Sequence, residues 1–203
     1  MADKNDKTKQ FGDPINNKDN YKKFCELEID WDIKSIDRND LPVEFSEETS
    51  EFIDLFRRKT VHENTEWNFY IDYKNNEIIH CLHGQSTNVK DRINVGLMQN
   101  RNILTIHNHP KGTYSAPSPK NFEILEHEFE NYEIICAEKE YWILESKNKY
   151  SKIHAEKFKT KIETLFQDIK LKSINPNKEY SNKLSEYINS SNNNIKLSKR
   201  EYR

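Results

Sequence analysis

The sequence predicts an α+β domain in which helices pack on one mixed β-sheet. Two kinds of pattern support this. Short segments alternate apolar and polar residues, which is typical of strands, and longer segments carry apolar residues three and four positions apart, which is typical of helices. Together they follow the order αββαβαββα along the chain. Such an order describes an α+β domain rather than a helical bundle or an all-β sandwich.

The first predicted elements are a helix and a β-hairpin. The helix begins at Ser46, carries two glutamates in its first turn and ends near Val61. Its apolar face consists of Phe52, Ile53, Leu55 and Phe56. Residues 67–73 alternate as a strand, residues 74–76 form a turn, and residues 77–82 form the second strand.

The later elements surround a polar motif. Val89, Ile93 and Leu97 fit one helical stripe within residues 87–100, and a short apolar strand over residues 102–106 leads directly into His107. Ser118 and Pro119 look like the N-cap and first position of a helix lined by Phe122, Leu125 and Phe129. A hairpin over 132–137 and 141–145 and an amphipathic helix over 151–172 complete the domain.

The composition divides the chain into a core domain and polar flanks. Hydrophobic residues make up 34% of the 203 residues and charged residues 33%, so we expect one modest core. Residues 1–20 are predicted to be disordered, and residues 21–45 to form an irregular extension. Residues 46–173 form the folded domain. Residues 174–203 are predicted to be a polar, mobile tail with at most a short helix near 182–188.

Charge and cysteine content exclude several functional classes. The net charge of −2 gives no reason to expect a nucleic acid or an anionic membrane as partner. The three cysteines are far apart and form no CxxC pair, which argues against a disulfide framework. Neither a signal peptide nor a membrane-spanning segment is recognisable, so we expect a cytoplasmic protein. The oligomeric state has no signal in the sequence.

His107 and His109 form the most informative motif. Residues i and i+2 of an extended chain project to the same side, so both imidazoles can converge on one ion. Pro110 ends the strand because it has no N–H to donate, and Gly112 allows the loop to fold back. This arrangement predicts a zinc site that keeps one coordination position for water.

Three further residues are candidates for the same site. Asn121, three residues after the Ser118 cap, is placed to act as a third zinc ligand, although its side chain can equally bond back to the Ser118 backbone. Ser118 is a candidate oxyanion donor, or simply an N-cap. Glu66 is the candidate general base, and Glu63 is its local rival.

The pattern Glu66 … His107-Asn108-His109-Pro110 … Ser118-Pro119-Lys120-Asn121 resembles the JAMM motif of the JAB/MPN metalloproteases. The form HNHPxG is most similar to the prokaryotic branch, with RadC-like proteins and a domain of phage head-associated proteins. The likeness covers about 85 residues, from Glu63 to Lys147. It implies a JAB/MPN (cytidine-deaminase-like) architecture in which His107, His109 and Asn121 hold Zn²⁺, Glu66 is the general acid/base and Ser118 supports the oxyanion.

Two departures from the family pattern define the competing hypotheses. Asn121 stands where the family has aspartate, and the loop from His109 to Ser118 is one residue longer than in RadC-like proteins. The first hypothesis is a zinc-dependent metallopeptidase that cleaves a peptide or isopeptide bond in a protein or peptide substrate. The alternative is a catalytically weakened JAB-like binding or structural module, with a phage or mobile-element origin suggested by the HNHP branch.

Overall fold

A computed structural model describes residues 14–84, 95–190 and 194–203 of the chain. Its centre is a six-stranded mixed sheet with the strand order β2-β1-β3-β4-β5-β6. The strands are β1 (Glu66–Asp72), β2 (Glu77–Gly84), β3 (Ile103–Asn108), β4 (Glu130–Cys136), β5 (Glu140–Ser146) and β6 (Ile195–Glu201). The α-helices are α1 (Lys18–Glu26), α2 (Glu47–Thr60), α3 (Lys152–Lys172) and α4 (Pro176–Ser190). The predicted α+β class with a mixed sheet is therefore confirmed.

The two faces of the sheet bury different helices. Helices α1 and α2 pack on one face, where Phe24 and Phe56 contact the alternating apolar residues of β1. The other face is covered by α3, α4 and a short 3₁₀-helix (Pro119–Leu125), with Trp142 of β5 buried among them. The predicted β1–β2 hairpin is confirmed, and Asn76 in its turn adopts a positive φ of 53°. The later hairpin, β4–β5, is confirmed as well.

One parallel strand pair interrupts an otherwise antiparallel sheet. Strand β3 runs parallel to β4, while the other described strand neighbours are antiparallel. A parallel pair needs a crossover connection, and here the chain after β3 returns through the loop at His109 and the 3₁₀-helix. The predicted motif therefore lies at the end of β3 and along this crossover, on the face that carries α3 and α4.

The segment predicted as a polar, mobile tail, residues 174–203, contains a helix and a strand, and the short helix expected near 182–188 lies within that helix. Residues 176–190 form α4, whose buried stripe of Tyr180, Leu184 and Ile188 has helical spacing. Strand β6 then pairs with β5 along its length and buries Ile195 and Leu197. This pattern is hard to recognise in the sequence because the few apolar residues are surrounded by abundant Asn, Ser and Lys. Those few apolar residues nevertheless have regular spacing.

Three other local predictions differ from the structure. The helix after Ser118 is a 3₁₀-helix that ends at Leu125, so Phe129 lies beyond it. The predicted disorder of residues 1–20 does not extend to residue 18, where α1 begins, and residues 1–13 lie outside the described residues. The predicted helix at 87–100 falls largely on residues 85–94, also outside them, and Val95–Leu97 is a 3₁₀ turn. Within the described ranges, no helix has the length and apolar character needed to span a membrane.

Candidate functional site

The structure brings all five predicted site residues to one pocket. Glu66, His107, His109, Ser118 and Asn121 line a polar cavity of about 180 Å³. Glu66 is the first residue of β1, and His107 lies in β3. The rival Glu63 instead accepts a 3.4 Å hydrogen bond from the Trp67 indole and does not line the cavity. Glu66 is therefore the better placed of the two glutamates.

Asn108, between the two histidines, connects the end of β3 to the start of β1 through hydrogen bonds. Its Oδ1 accepts a 2.7 Å hydrogen bond from the Trp67 backbone N–H, and its Nδ2 donates to the Thr65 carbonyl at 3.1 Å. These bonds fix the start of β1 against the end of β3, and therefore fix Glu66 relative to His107. Sequence reasoning missed this role, although the position of Asn108 inside the motif is a usable signal.

The imidazole of His107 is buried, that of His109 is half-buried, and both are neutral. Their ring centroids are 5.1 Å apart. His109 Nδ1 lies 2.6 Å from the Tyr114 carbonyl oxygen, which can only accept, so Nδ1 carries the proton and Nε2 keeps its lone pair. Burial lowers the pKa of His107 well below its usual value and that of His109 to about 4. Both side chains are therefore in the form that accepts a hydrogen bond or binds a metal.

We expect His109 to stay uncharged down to about pH 4, because burial opposes its protonation. The unfolded chain takes up this proton below about pH 6.5. Stability should therefore be lost as the pH falls from about 6.5 to about 4, by up to about tenfold in the folding constant per pH unit. Imidazole NMR titration of the folded protein measures this directly. A short peptide spanning residues 105–113 is the unfolded control, and a folded-state midpoint near that of the peptide would contradict the prediction.

Asn121 closes the cap of the 3₁₀-helix. Its Oδ1 accepts from the Ser118 backbone N–H at 2.6 Å and from the Ser118 hydroxyl at 2.8 Å. A backbone N–H can only donate, so the oxygen of the amide must face Ser118. The Nδ2 group consequently faces the pocket, 2.9 Å from Glu133 Oε1 and 3.3 Å from His107 Nε2. The alternative interpretation of Asn121 as a cap residue is therefore confirmed.

The donor set does not fit a zinc ion held by three protein ligands. His107 and His109 supply two suitable nitrogens, but Asn121 presents N–H groups, which cannot coordinate a cation. Among residues 14–84, 95–190 and 194–203, no three His, Cys, Asp or Glu side chains are arranged to hold a metal ion. The amide at position 121 is the atom-level reason for the misfit.

Four glutamates line the pocket, and of these the sequence analysis singled out Glu66 but not Glu123, Glu130 or Glu133. Glu133 of β4 is buried, and its Oε1 lies 3.4 Å from His107 Nδ1, an atom without a hydrogen-bond partner among the described residues. Burial, followed by the charge of Glu130, raises the pKa of Glu133 well above its usual value. Burial also raises the pKa of Glu66, while Lys120 opposes that shift. The available signal for Glu133 was its position as the one acidic residue within the strand predicted over residues 132–137.

Comparisons with known proteins give no match. Neither the models of known protein families, nor the curated proteins, nor the solved structures contain a significant match to this chain.

Proposed function

We propose that the chain is a JAB/MPN-like domain whose pocket binds a protein segment without hydrolysing it. The observation that carries this proposal is the orientation of the Asn121 amide, whose oxygen is held by Ser118 and whose nitrogen faces His107. The resemblance of the motif to JAB/MPN proteins supplies the class of ligand, a protein or a peptide. The pocket offers such a ligand neutral imidazoles, carboxyl groups and the Lys120 ammonium as hydrogen-bonding partners.

Asparagine in place of the family's aspartate at position 121 changes which atom faces the histidines. An aspartate at position 121 has two equivalent oxygens, so one can accept from Ser118 while the other faces the histidines. Asparagine has a single oxygen, and the backbone N–H of Ser118 takes it. The remaining Nδ2 donates where a ligand oxygen is needed. The presence of a nitrogen rather than an oxygen at this one position distinguishes the pocket from a site with three zinc ligands.

The second candidate function is a zinc-dependent JAMM-like metallopeptidase acting on a peptide or isopeptide bond. It is favoured by the meeting of Glu66, His107, His109 and Ser118 in one pocket. Zinc would supply activation of a bound water. Burial raises the pKa of Glu66, which is the direction expected of a carboxyl group that takes up and returns a proton. The hydroxyl of Ser118 would have to leave Asn121 before it could donate to an oxyanion.

One assay separates the two functions. Wild-type protein is incubated with a quenched-fluorescent peptide mixture and an isopeptide-linked substrate, with and without added zinc. We expect no zinc-dependent cleavage. Cleavage that requires zinc and falls about 100-fold or more in a Glu66→Gln variant would establish the metallopeptidase and refute the binding module.

Binding is tested in the same protein by selection from a random peptide library. Selected peptides should lose affinity in a Lys120→Glu variant, because Lys120 lines the pocket at its exposed edge. Lys152→Glu, at the exposed start of α3, is the control with the same charge change. Equal affinity of the peptides for wild type and Lys120→Glu would place the binding elsewhere.

A further inference from the structure

A second pocket lies on the other side of the loop that begins at His109. Its volume is about 480 Å³, and His109 contributes to the walls of both pockets. The walls come from the loop after β3, the β4–β5 turn, the start of α4 and strand β6. We call it the lysine pocket, because Lys111, Lys139, Lys178 and Lys199 line it.

The charges in the lysine pocket are unbalanced. Four lysines face two glutamates, Glu138 and Glu140. Glu140 is already satisfied, since one oxygen pairs with Lys199 at 2.7 Å and the other accepts from the Ser115 hydroxyl at 2.7 Å. The other three lysines form no ion pair with any part of the chain that the structure describes. The pocket therefore keeps a positive excess, which attracts an anionic group.

The same pocket contains a buried hydroxyl, that of Ser181. Ser181 of α4 is only 3% exposed, and its Oγ has no hydrogen-bond partner among the described residues. Ser181 lies one helical turn after Asn177, so both residues line the pocket from the same face of α4. The first turn of this helix, which begins at Pro176, adds the partial positive charge of a helix N-terminus. An unsatisfied buried hydroxyl beside cations is a feature that an oxygen-bearing ligand satisfies.

The chemistry of the lining favours a carboxylate over a nucleic acid. Single-stranded nucleic acids are bound through aromatic side chains on which bases stack, and the lining of this pocket contains no Phe, Tyr or Trp. The chain also carries a net charge of −2, which disfavours a long polyanion more than a short acidic segment.

We propose that the lysine pocket binds an acidic protein segment. A carboxylate of this segment lies between Lys111 and Lys178 and accepts a hydrogen bond from the hydroxyl of Ser181. The inference rests on the proposed function only in taking the ligand to be a protein segment. The proposal makes α4 and β6 part of a binding surface, because Lys178, Ser181 and Lys199, which line the lysine pocket, lie in these two elements.

The test measures binding of a fluorescein-labelled hexaglutamate peptide by anisotropy. We expect affinity to fall about tenfold or more in Lys111→Glu/Lys178→Glu, because a positive site becomes a negative one. Ser181→Ala should weaken binding about fivefold, the loss of one hydrogen bond. Lys152→Glu is the matched control for surface charge and should bind as the wild type does. Higher salt should weaken binding to the wild type.

Three outcomes would overturn the proposal. The first is hexaglutamate binding that the double variant leaves unchanged. The second is an equal loss in Lys152→Glu, which would indicate unspecific attraction. The third is tighter binding of an oligothymidylate of the same length, which would assign the pocket to nucleic acid. The cleavage assay and the Lys120→Glu binding test of the proposed function do not involve these lysines, so failure of the proposed function would be seen separately.

Discussion

Replacing Asn121 by aspartate is expected to raise the affinity for Zn²⁺ about 100-fold or more, because it converts two ligands into three. Aspartate has the same shape as asparagine. One oxygen keeps the bonds to Ser118, and the other replaces Nδ2 beside His107 Nε2. The protonated Glu133, which now accepts from Nδ2, can donate to the new carboxylate instead. Isothermal titration with zinc at neutral pH, supported by metal content from mass spectrometry, measures the change.

Asn121→Asp/His109→Ala is the control for this prediction. It retains the new carboxylate and removes one imidazole, so the gain in zinc affinity should disappear. If Asn121→Asp alone leaves the zinc affinity unchanged, position 121 is not a ligand position, and the correspondence of Ser118 and Asn121 to the JAMM motif is wrong. If wild-type protein already binds zinc as tightly as the variant, the Asn121 amide rearranges on binding and the metallopeptidase becomes the better hypothesis.

Glu133→Gln is expected to stabilise the protein above pH 5 and to remove part of its pH dependence. The unfolded chain loses the Glu133 proton above about pH 4.5, whereas the folded protein keeps it because burial raises its pKa well above that value. Stability therefore falls as the pH rises from 4.5 towards the folded-state pKa, by about 1.4 kcal/mol of unfolding free energy per pH unit. Glutamine mimics the protonated acid and accepts the same bond from Asn121.

Urea unfolding of both proteins from pH 5 to pH 8 measures this effect. The buried histidines change stability in the opposite direction below about pH 6.5, so the difference between the two proteins at each pH isolates Glu133. Glu128→Gln, at an exposed position, should show no such difference. A constant difference between wild type and Glu133→Gln across the range would mean that Glu133 is ionised in the folded protein.

Much of the fold could be predicted because its signals are local. The alternation from Trp67 to Tyr73 and the apolar stripe of α3 each define an element without reference to the rest of the chain. The predicted tail failed because β6 owes its stability to pairing with β5, and that partner lies about 50 residues earlier. A strand at the end of a polar segment has little signal until its neighbour is known.

The candidate site could likewise be predicted from the sequence only in part. Strand periodicity is sufficient to bring His107 and His109 to one pocket. The position of Glu66 just before a predicted strand favoured it over Glu63, and Glu66 is the one of the two that lines the pocket. The orientation of the Asn121 amide could not be predicted, since it depends on which of two atoms meets the Ser118 N–H. The role of Glu133 in the pocket could not be predicted for a related reason. Its position opposite Thr105 is set by the parallel register of β3 and β4.

The Asn121 amide also has a genetic consequence. Codons for asparagine and aspartate differ only in their first base, so a single transition would exchange the group that donates in this pocket for the carboxylate that we expect to bind a metal. The exchange preserves the size of the side chain and its bonds to Ser118, so the fold presents little barrier to it in either direction. A lineage carrying this domain can therefore gain or lose a metal ligand in one mutational step, and selection on the ligand, rather than on folding, decides which form persists.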